Sequence, residues 1–387
     1  MSSIDGHRLV IVTNIPSPYR LHLFEHLYRI MRPKGLSLEV MFMAETEPWR
    51  YWRFDSSRWG FPHKVHWGLH PYWRGIPFHI NPTILYDVWR RPPNWLMLGG
   101  SWAMPTTALL AVSPRWVGPR CLKLWWLEAN ERSMKYRTGL VAWLRNWIVS
   151  RADALVLPGK IAQEWADSSL KVQLPKICLP NVVDEGIYRD RVEKTRVYSR
   201  EIREKYKIPQ NEIVALLPSR LAPEKNIVGL LKAISEDWPK GLCLLIAGDG
   251  PLYHHIAELI KQTNRVKMLG YQDTERMIEL FAMSDLVILP SLRDPNPLVI
   301  IEALWAGLPV LASINVGNWP EAIEPGRNGW LFDPTQPQEM RKAVLEAVAV
   351  GRDGLRVMGM RSREIAYERF ETSTVVHRFL DQLLNLS

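Results

Sequence analysis

Short apolar runs recur along the whole chain, and most are separated by stretches long enough for a helix. In the first half they are 8–14, 37–43, 95–100, 121–128 and 152–159. In the second half they are 212–219, 241–248, 265–270, 285–291 and 308–313. Helical periodicity fits 19–31 and 136–150, then 226–236, 252–263, 274–283 and 298–306. Continuous apolar strands alternating with helices imply parallel sheets covered on both faces. Two such series within 387 residues predict an α/β chain of two Rossmann-like doubly wound domains. The boundary is expected between 185 and 200, giving domains 1–192 and 193–365 with a closing segment 366–387. Residues 44–94 show no sustained period. A long irregular stretch in a compact domain usually serves a function.

The two halves differ in chemistry. Residues 1–190 carry 24 Lys and Arg against 15 Asp and Glu, whereas the rest carries 25 of each. Of 18 tryptophans, 14 precede residue 190, and five lie within 45–75. A basic, Trp-rich half suits an anionic membrane surface or a bulky amphipathic ligand. The ordinary alternative is a solvated basic face over a Trp-containing core. No apolar run reaches about 18 residues without a charge, so no membrane-spanning helix is expected. The start of the chain lacks the pattern of a signal peptide. Cys121, Cys178 and Cys243 have neither zinc nor disulfide spacing, which points to a reducing cytoplasm.

The apolar stretch 291–313 holds two carboxylates, Asp294 and Glu302, with seven residues between them. Pro295 and Pro297 bar a helix before about 297, which places Asp294 in a loop and Glu302 one turn into a helix. The helix start between them suits a phosphate, and the acids suit hydroxyl groups. Otherwise Asp294 simply caps the helix and Glu302 pairs with an arginine. Upstream, Arg220 and Lys225 flank a loop that leaves a strand, as two cations for a diphosphate would. Gly248 and Gly250 occupy another strand-to-helix turn, where glycine permits close backbone approach.

Taken in order, "SRLAPEKNI", "GDGP", "KMLGYQD" and the acid-x7-acid stretch ending "EALWAGLPVLAS" resemble the donor domain of retaining GT-B glycosyltransferases of the group 1, family 4 type. "LPNVVDEGIY" and "NGWLFDP" resemble the segments that open and close that domain. The resemblance implies a metal-independent hexosyltransferase with no cofactor. It would move a hexose from a UDP- or GDP-sugar to a glycan, a lipid-linked or a small hydroxylated acceptor. Arg220 and Lys225 would hold the diphosphate, Glu302 the ribose and Asp294 the transferred sugar. Gly248, Asn296, Leu298 and Val299 would line the donor, with Tyr271 beside the base. This chain has Asp where the family usually has Glu at position 294, and Pro297 where it tends to have Gly. Both departures bear on the sugar transferred.

In the first half, the strand-to-helix loop "PSPYR" resembles a subgroup of that family reading Pro-x-Pro-Tyr-Arg, which implies Tyr19 and Arg20 at an interdomain cleft; the alternative is that Pro18 and Tyr19 merely start a helix. Gly99 and Gly100 end one strand, and Glu128 and Glu131 end or follow another. Gly100 and Glu128 are expected on the acceptor side, with Glu128 as the base or hydroxyl anchor. The segment 366–387 is expected to pack back on the first domain, as in relatives. No Asp-x-Asp metal motif and no nucleic-acid partner are expected. The enzyme would be cytoplasmic, with peripheral contact at the inner face of the membrane. The competing readings are a nucleotide-sugar hydrolase or epimerase, and a non-catalytic subunit that recruits a partner to a membrane.

Overall fold

A computed structural model describes residues 6–47, 55–73, 76–113, 121–128, 137–170 and 173–386. The chain divides into two units, one running to Val182 and resuming at Thr372, the other spanning Val183–Glu371.

The first unit is built from β1 (Arg8–Thr13), α1 (Pro18–Met31), β2 (Ser37–Phe42) and β3 (His63–Val65). A small hairpin, β4 (Tyr72–Trp73) and β5 (Ile76–Pro77), precedes α2 (Pro82–Arg90), β6 (Trp95–Gly99) and α3 (Pro105–Val112). Then come β7 (Leu122–Trp126), α4 (Gly139–Val149), β8 (Ala154–Leu157), α5 (Lys160–Trp165) and β9 (Lys176–Cys178). The sheet order is β3-β2-β1-β6-β7-β8-β9, with every pair parallel. Alternate residues of β1 feed opposite faces. Leu9 and Ile11 join one buried cluster, and Val10 and Val12 the other.

The second unit opens with α6 (Val192–Arg196) and α7 (Ser199–Lys205), followed by β10 (Ile213–Pro218) and α8 (Ile227–Ser235). It continues through β11 (Leu242–Ala247), α9 (Tyr253–Leu259), β12 (Val266–Gly270), α10 (Thr274–Met283) and β13 (Leu286–Leu289). It ends with α11 (Leu298–Trp305), β14 (Val310–Ser313), α12 (Trp319–Ala322), β15 (Gly329–Phe332) and α13 (Pro337–Phe370). The sheet order is β12-β11-β10-β13-β14-β15, again all parallel. Gly351, at φ 72°, breaks α13 into two helices. The last helix, α14 (Thr372–Leu384), returns to the first unit, where Val375, Val376 and Phe379 share a cluster with Leu23 and Leu27 of α1.

Two boundaries differ from expectation. The chain changes units after Val182, not after 192, because Val183 and Val192 are buried in the second unit's core. Residues 366–370 likewise end α13 inside the second unit, where Ala366 and Phe370 are buried. The region 44–94 is more regular than its lack of period suggests. It holds β3, the hairpin and α2, tied down by the buried Asn81 amide, which donates to the carbonyls of Met43, His66 and Trp67. Strands this short are too brief to register as a period.

Candidate functional site

In both sheets the strand order reverses once, between β1 and β6 and between β10 and β13. Loops leaving adjacent strands in opposite directions open a crevice at the carboxyl ends of the strands, where ligands bind in doubly wound folds. The unusual polar residues of each half fall at these two places.

In the second unit the loop after β10 carries Arg220 and Lys225, and the loop after β13 carries Asp294 and Asn296. The Glu224 carbonyl pins the two together, accepting from the N–H groups of Leu292 (2.9 Å) and Arg293 (3.3 Å). Lys225 Nζ then forms an ion pair with the buried Asp294 carboxylate. The Arg220 side chain is exposed and its guanidinium has no hydrogen bond or ion pair among the described residues. The glycine turn after β11 packs against the same loop. A Cβ on Gly248 would lie 1.9 Å from the Ser219 carbonyl oxygen, and one on Gly250 would lie 2.5 Å from that of Leu221. These glycines are therefore required by the approach of two loops, whatever else they serve. Tyr271 stands exposed just beyond β12.

Neither part of the ordinary reading of the two acids holds. The helix α11 has Pro297 at its N-cap and no side-chain cap, so Asp294 does not cap it. Glu302 pairs with no arginine among the described residues; its Oε1 accepts a hydrogen bond from the Tyr188 hydroxyl at 3.0 Å. Burial pushes the Glu302 carboxyl up to about 7, against the opposing effect of the Tyr188 hydroxyl. The first turn of α11 supplies the N–H groups of Leu298 and Val299, which no carbonyl within the helix can reach. Just before it, both amide atoms of Asn296 are buried and have no hydrogen-bond partner. A buried amide left unpaired costs about 1–3 kcal/mol, and a ligand that pairs with it recovers that energy. The sequence reading missed Tyr188, whose motif marked a boundary and gave no hint of a hydrogen bond to Glu302.

The first unit's crevice is in a different state. Arg20 Nη1 donates to Thr13 Oγ1 and to the Gly99 carbonyl (3.2 Å), and Nη2 donates to Glu128 Oε1 (3.3 Å). Its Nε donates to the Tyr19 hydroxyl at 3.2 Å, and the guanidinium lies 4.6 Å from the Trp126 ring centroid. Burial raises the Tyr19 hydroxyl above its ordinary value. A cavity of about 300 Å³ opens here, walled by Asn14, Arg20, Gly100, Glu128 and Arg145. Arg145 is buried, and burial lowers its pKa. It is the single charge in the helical segment "GLVAWLRNWIV", a signal that was available in the sequence and was not used. Glu131 lies outside the described residues. Among the described residues no cluster of His, Cys, Asp and Glu is placed to hold a metal ion.

Of the tryptophans of 45–75 whose side chains are described, Trp67 is exposed and Trp59 is half-buried. Trp49 and Trp52 lie outside the described residues, and Trp59 packs on the core, stacked on Phe61 with ring centroids 5.9 Å apart. The helix α4 exposes Leu140 (77%), Trp143 (61%), Leu144 and Trp147. Among the described residues no helix is long and apolar enough to cross a membrane.

Residues 199–358 match the family described as glycosyl transferases group 1. N-acetyl-alpha-D-glucosaminyl L-malate synthase of Bacillus anthracis is 31% identical over 206 residues, covering 51% of each chain. Alpha-D-kanosaminyltransferase of Streptomyces kanamyceticus is 27% identical over 210 residues, covering 53% of each. The chain thus spans about half the length of these curated relatives. Among solved structures, Anabaena HepE in complex with UDP superposes with a TM-score of 0.75 at 17% identity, covering 98% of this chain and all of that one. Sucrose-phosphate synthase of Thermosynechococcus elongatus gives 0.71 at 15%, covering 98% and 100%. These likenesses establish a GT-B fold, and residues 199–358 of its second unit resemble the group 1 glycosyl transferases.

Proposed function

We propose that this protein is a metal-independent, retaining hexosyltransferase that takes its sugar from a nucleotide diphosphate. The observation that carries the reading is the second crevice, where the unpaired Asn296 amide stands among an unpaired arginine, a Lys–Asp pair and a buried acid. Each has a counterpart in such a donor. Arg220 and the α11 N-terminus meet the diphosphate, and Asn296 and Asp294 meet the sugar hydroxyls. Glu302 accepts from the ribose, with Gly248 and Tyr271 beside the nucleoside. Lys225 and Asp294 neutralise one another until a phosphate and a hydroxyl compete for them. HepE, which shares the fold, has been captured with UDP-glucose, and the B. anthracis relative is named for a glucosaminyl product.

The chemistry follows from charge. The bond from the sugar's anomeric carbon to the diphosphate oxygen breaks, and its electron pair leaves with the diphosphate. Arg220 and the helix dipole stabilise that charge as it grows. The acceptor oxygen bonds to the same face of the sugar and passes its proton to the departing phosphate. The acceptor side is assigned to the first crevice, with Tyr19, Arg20 and Gly100 shaping it and Glu128 anchoring a hydroxyl. Arg145 adds a cation for an acidic group on the acceptor.

The acceptor is lipid-linked or held at a membrane. Helix α4 turns Arg145 toward the cavity and its Leu and Trp side chains outward, with Arg151 stacked 4.8 Å over Trp147 and no acid in the helix. That face suits the interface of an anionic bilayer. Replacing Trp143 and Trp147 with Ser should abolish sedimentation with anionic vesicles that survives high salt. Undiminished binding would remove α4 from the account. The activity itself is tested by incubating UDP- and GDP-hexoses with lipid-phosphate acceptors and reading the product anomer by NMR. A product of the donor's own anomeric configuration supports the reading. Release of free sugar without an acceptor would point to a hydrolase instead.

A further inference from the structure

A cavity of about 540 Å³ lies away from both crevices. Its wall includes Asp285, immediately before β13, and Gly307 and Leu308, just before β14. These residues enter the strands, so the cavity lies at the amino-terminal edge of the sheet. Arg220, Asn296 and Glu302 lie beyond the opposite edge. Nothing in the transfer reaction uses this edge.

Five arginines face three acids in its wall. Each of two carboxylates is shared between two guanidiniums. Asp285 accepts from Arg203 (2.8 Å) and Arg352 (3.1 Å). Glu193 pairs with Arg363 and, at 3.5 Å, with Arg196. Four cations around two anions leave a net positive wall. The remaining arginine, Arg356, is exposed and has no partner among the described residues, and it is balanced only by Asp353 at the rim. Arg196 is held below the usual arginine value, first by burial and then by the nearby Arg363, against the pull of Glu193. An anion in the cavity would relieve that repulsion.

The backbone adds to the field. The helix that restarts after Gly351 brings Arg352, Arg356 and Arg363 to the cavity along one face. Its first turn, the positive end of the helix dipole, lies at the same wall. Gly359 allows this close seating. A Cβ there would stand 2.0 Å from the Gly307 carbonyl oxygen. The volume falls in the range of sites for small ligands. Arginine forks match phosphate oxygens in pairs.

We propose that this arginine-lined cavity binds a small soluble phosphate-bearing molecule, at a site separate from the donor crevice. Occupancy would clamp the restarted helix to α6 and to the entry of β13.

The test is calorimetric titration of the full chain carrying Arg220→Ala, which weakens the donor crevice, with inorganic phosphate and with a hexose phosphate. Binding that Arg352→Gln with Arg356→Gln weakens by about tenfold or more is the expected result, since each lost charged contact is worth that much. If the double variant melts early, Arg356→Gln alone breaks no pair and should still weaken binding. No measurable heat, or equal affinity in the arginine variants, overturns the proposal. So does binding seen only with vesicles bearing phosphatidic acid.

Discussion

The two crevices share one topology and differ in their electrostatic state. In the first, Arg20 is fully engaged by Thr13, Gly99, Tyr19 and Glu128, so the cavity beside it is set before any ligand arrives. In the second, Arg220 is unpaired, the Asn296 amide is buried without a partner, and Glu302 is a buried acid with a single hydrogen bond. A crevice whose arginine and acid are already paired serves shape, even though the Trp126 indole N–H in its wall has no partner. One with polar groups unsatisfied waits for a ligand that carries the missing partners. The contrast teaches that the position of a crevice is set by the fold, whereas its role is set by which groups remain unpaired in it.

The largest expected effect breaks the second crevice directly. Arg220→Ala should lower kcat/KM about 10²–10³-fold, as loss of one donor to a developing anion does elsewhere. Its melting temperature should hardly move, because the Arg220 guanidinium has no hydrogen bond or ion pair to lose among the described residues. A near-normal rate in this variant would mean that the unpaired arginine is only a surface residue.

A second test sharpens the contrast through pH. The Glu302 carboxyl titrates near 7 in the folded chain against an ordinary value of 4.5. Between those values the folded state holds a proton that the unfolded chain has released. The stability this contributes is present in full below about 4.5 and is lost as pH rises through about 7. The total loss across that range amounts to about 3 kcal/mol. Glu302→Gln should flatten that part of the stability–pH curve. The same ionisation should make nucleotide binding tighten as pH rises from about 6 to 8, and the Gln variant should lose that dependence as well. Parallel curves for wild type and variant would show that Glu302 is ionised throughout.

The smallest effect concerns Tyr188. Removing its hydroxyl with Tyr188→Phe should cost about 1 kcal/mol, a several-fold loss of nucleotide affinity. It should also move the pH midpoint of binding upward, since the carboxylate loses its donor. A purely structural tyrosine would lower the melting temperature and leave that midpoint in place.

Much of this was legible in the sequence, for a physical reason. Strands such as 8–14 and 285–291 are buried on both faces, so each reads as a continuous apolar run. Asp294 and Glu302 stood out because they interrupt one. The Arg20 cage was hidden, because its partners Thr13, Gly99 and Glu128 come from three strands and lie far apart in the chain. Tyr188 and Glu302 are likewise brought together only by the packing of the helical turn Gly186–Arg191, which precedes α6, against α11. The strand β3 and helix α2 were missed because short elements at a sheet's edge are held by side chains such as Asn81. The arginines of the distal cavity are scattered over 196–363 and carry no signal in the sequence; only the fold shows that they line a space.

The central claim is that the nucleotide diphosphate occupies the second unit's crevice. Calorimetric titration of UDP and GDP into wild type, Arg220→Ala and Arg20→Ala tests it most directly. The account predicts one nucleotide per chain, with affinity lowered at least about tenfold in Arg220→Ala and little changed in Arg20→Ala. Unchanged affinity in Arg220→Ala together with loss in Arg20→Ala would contradict it and put the nucleotide in the first crevice.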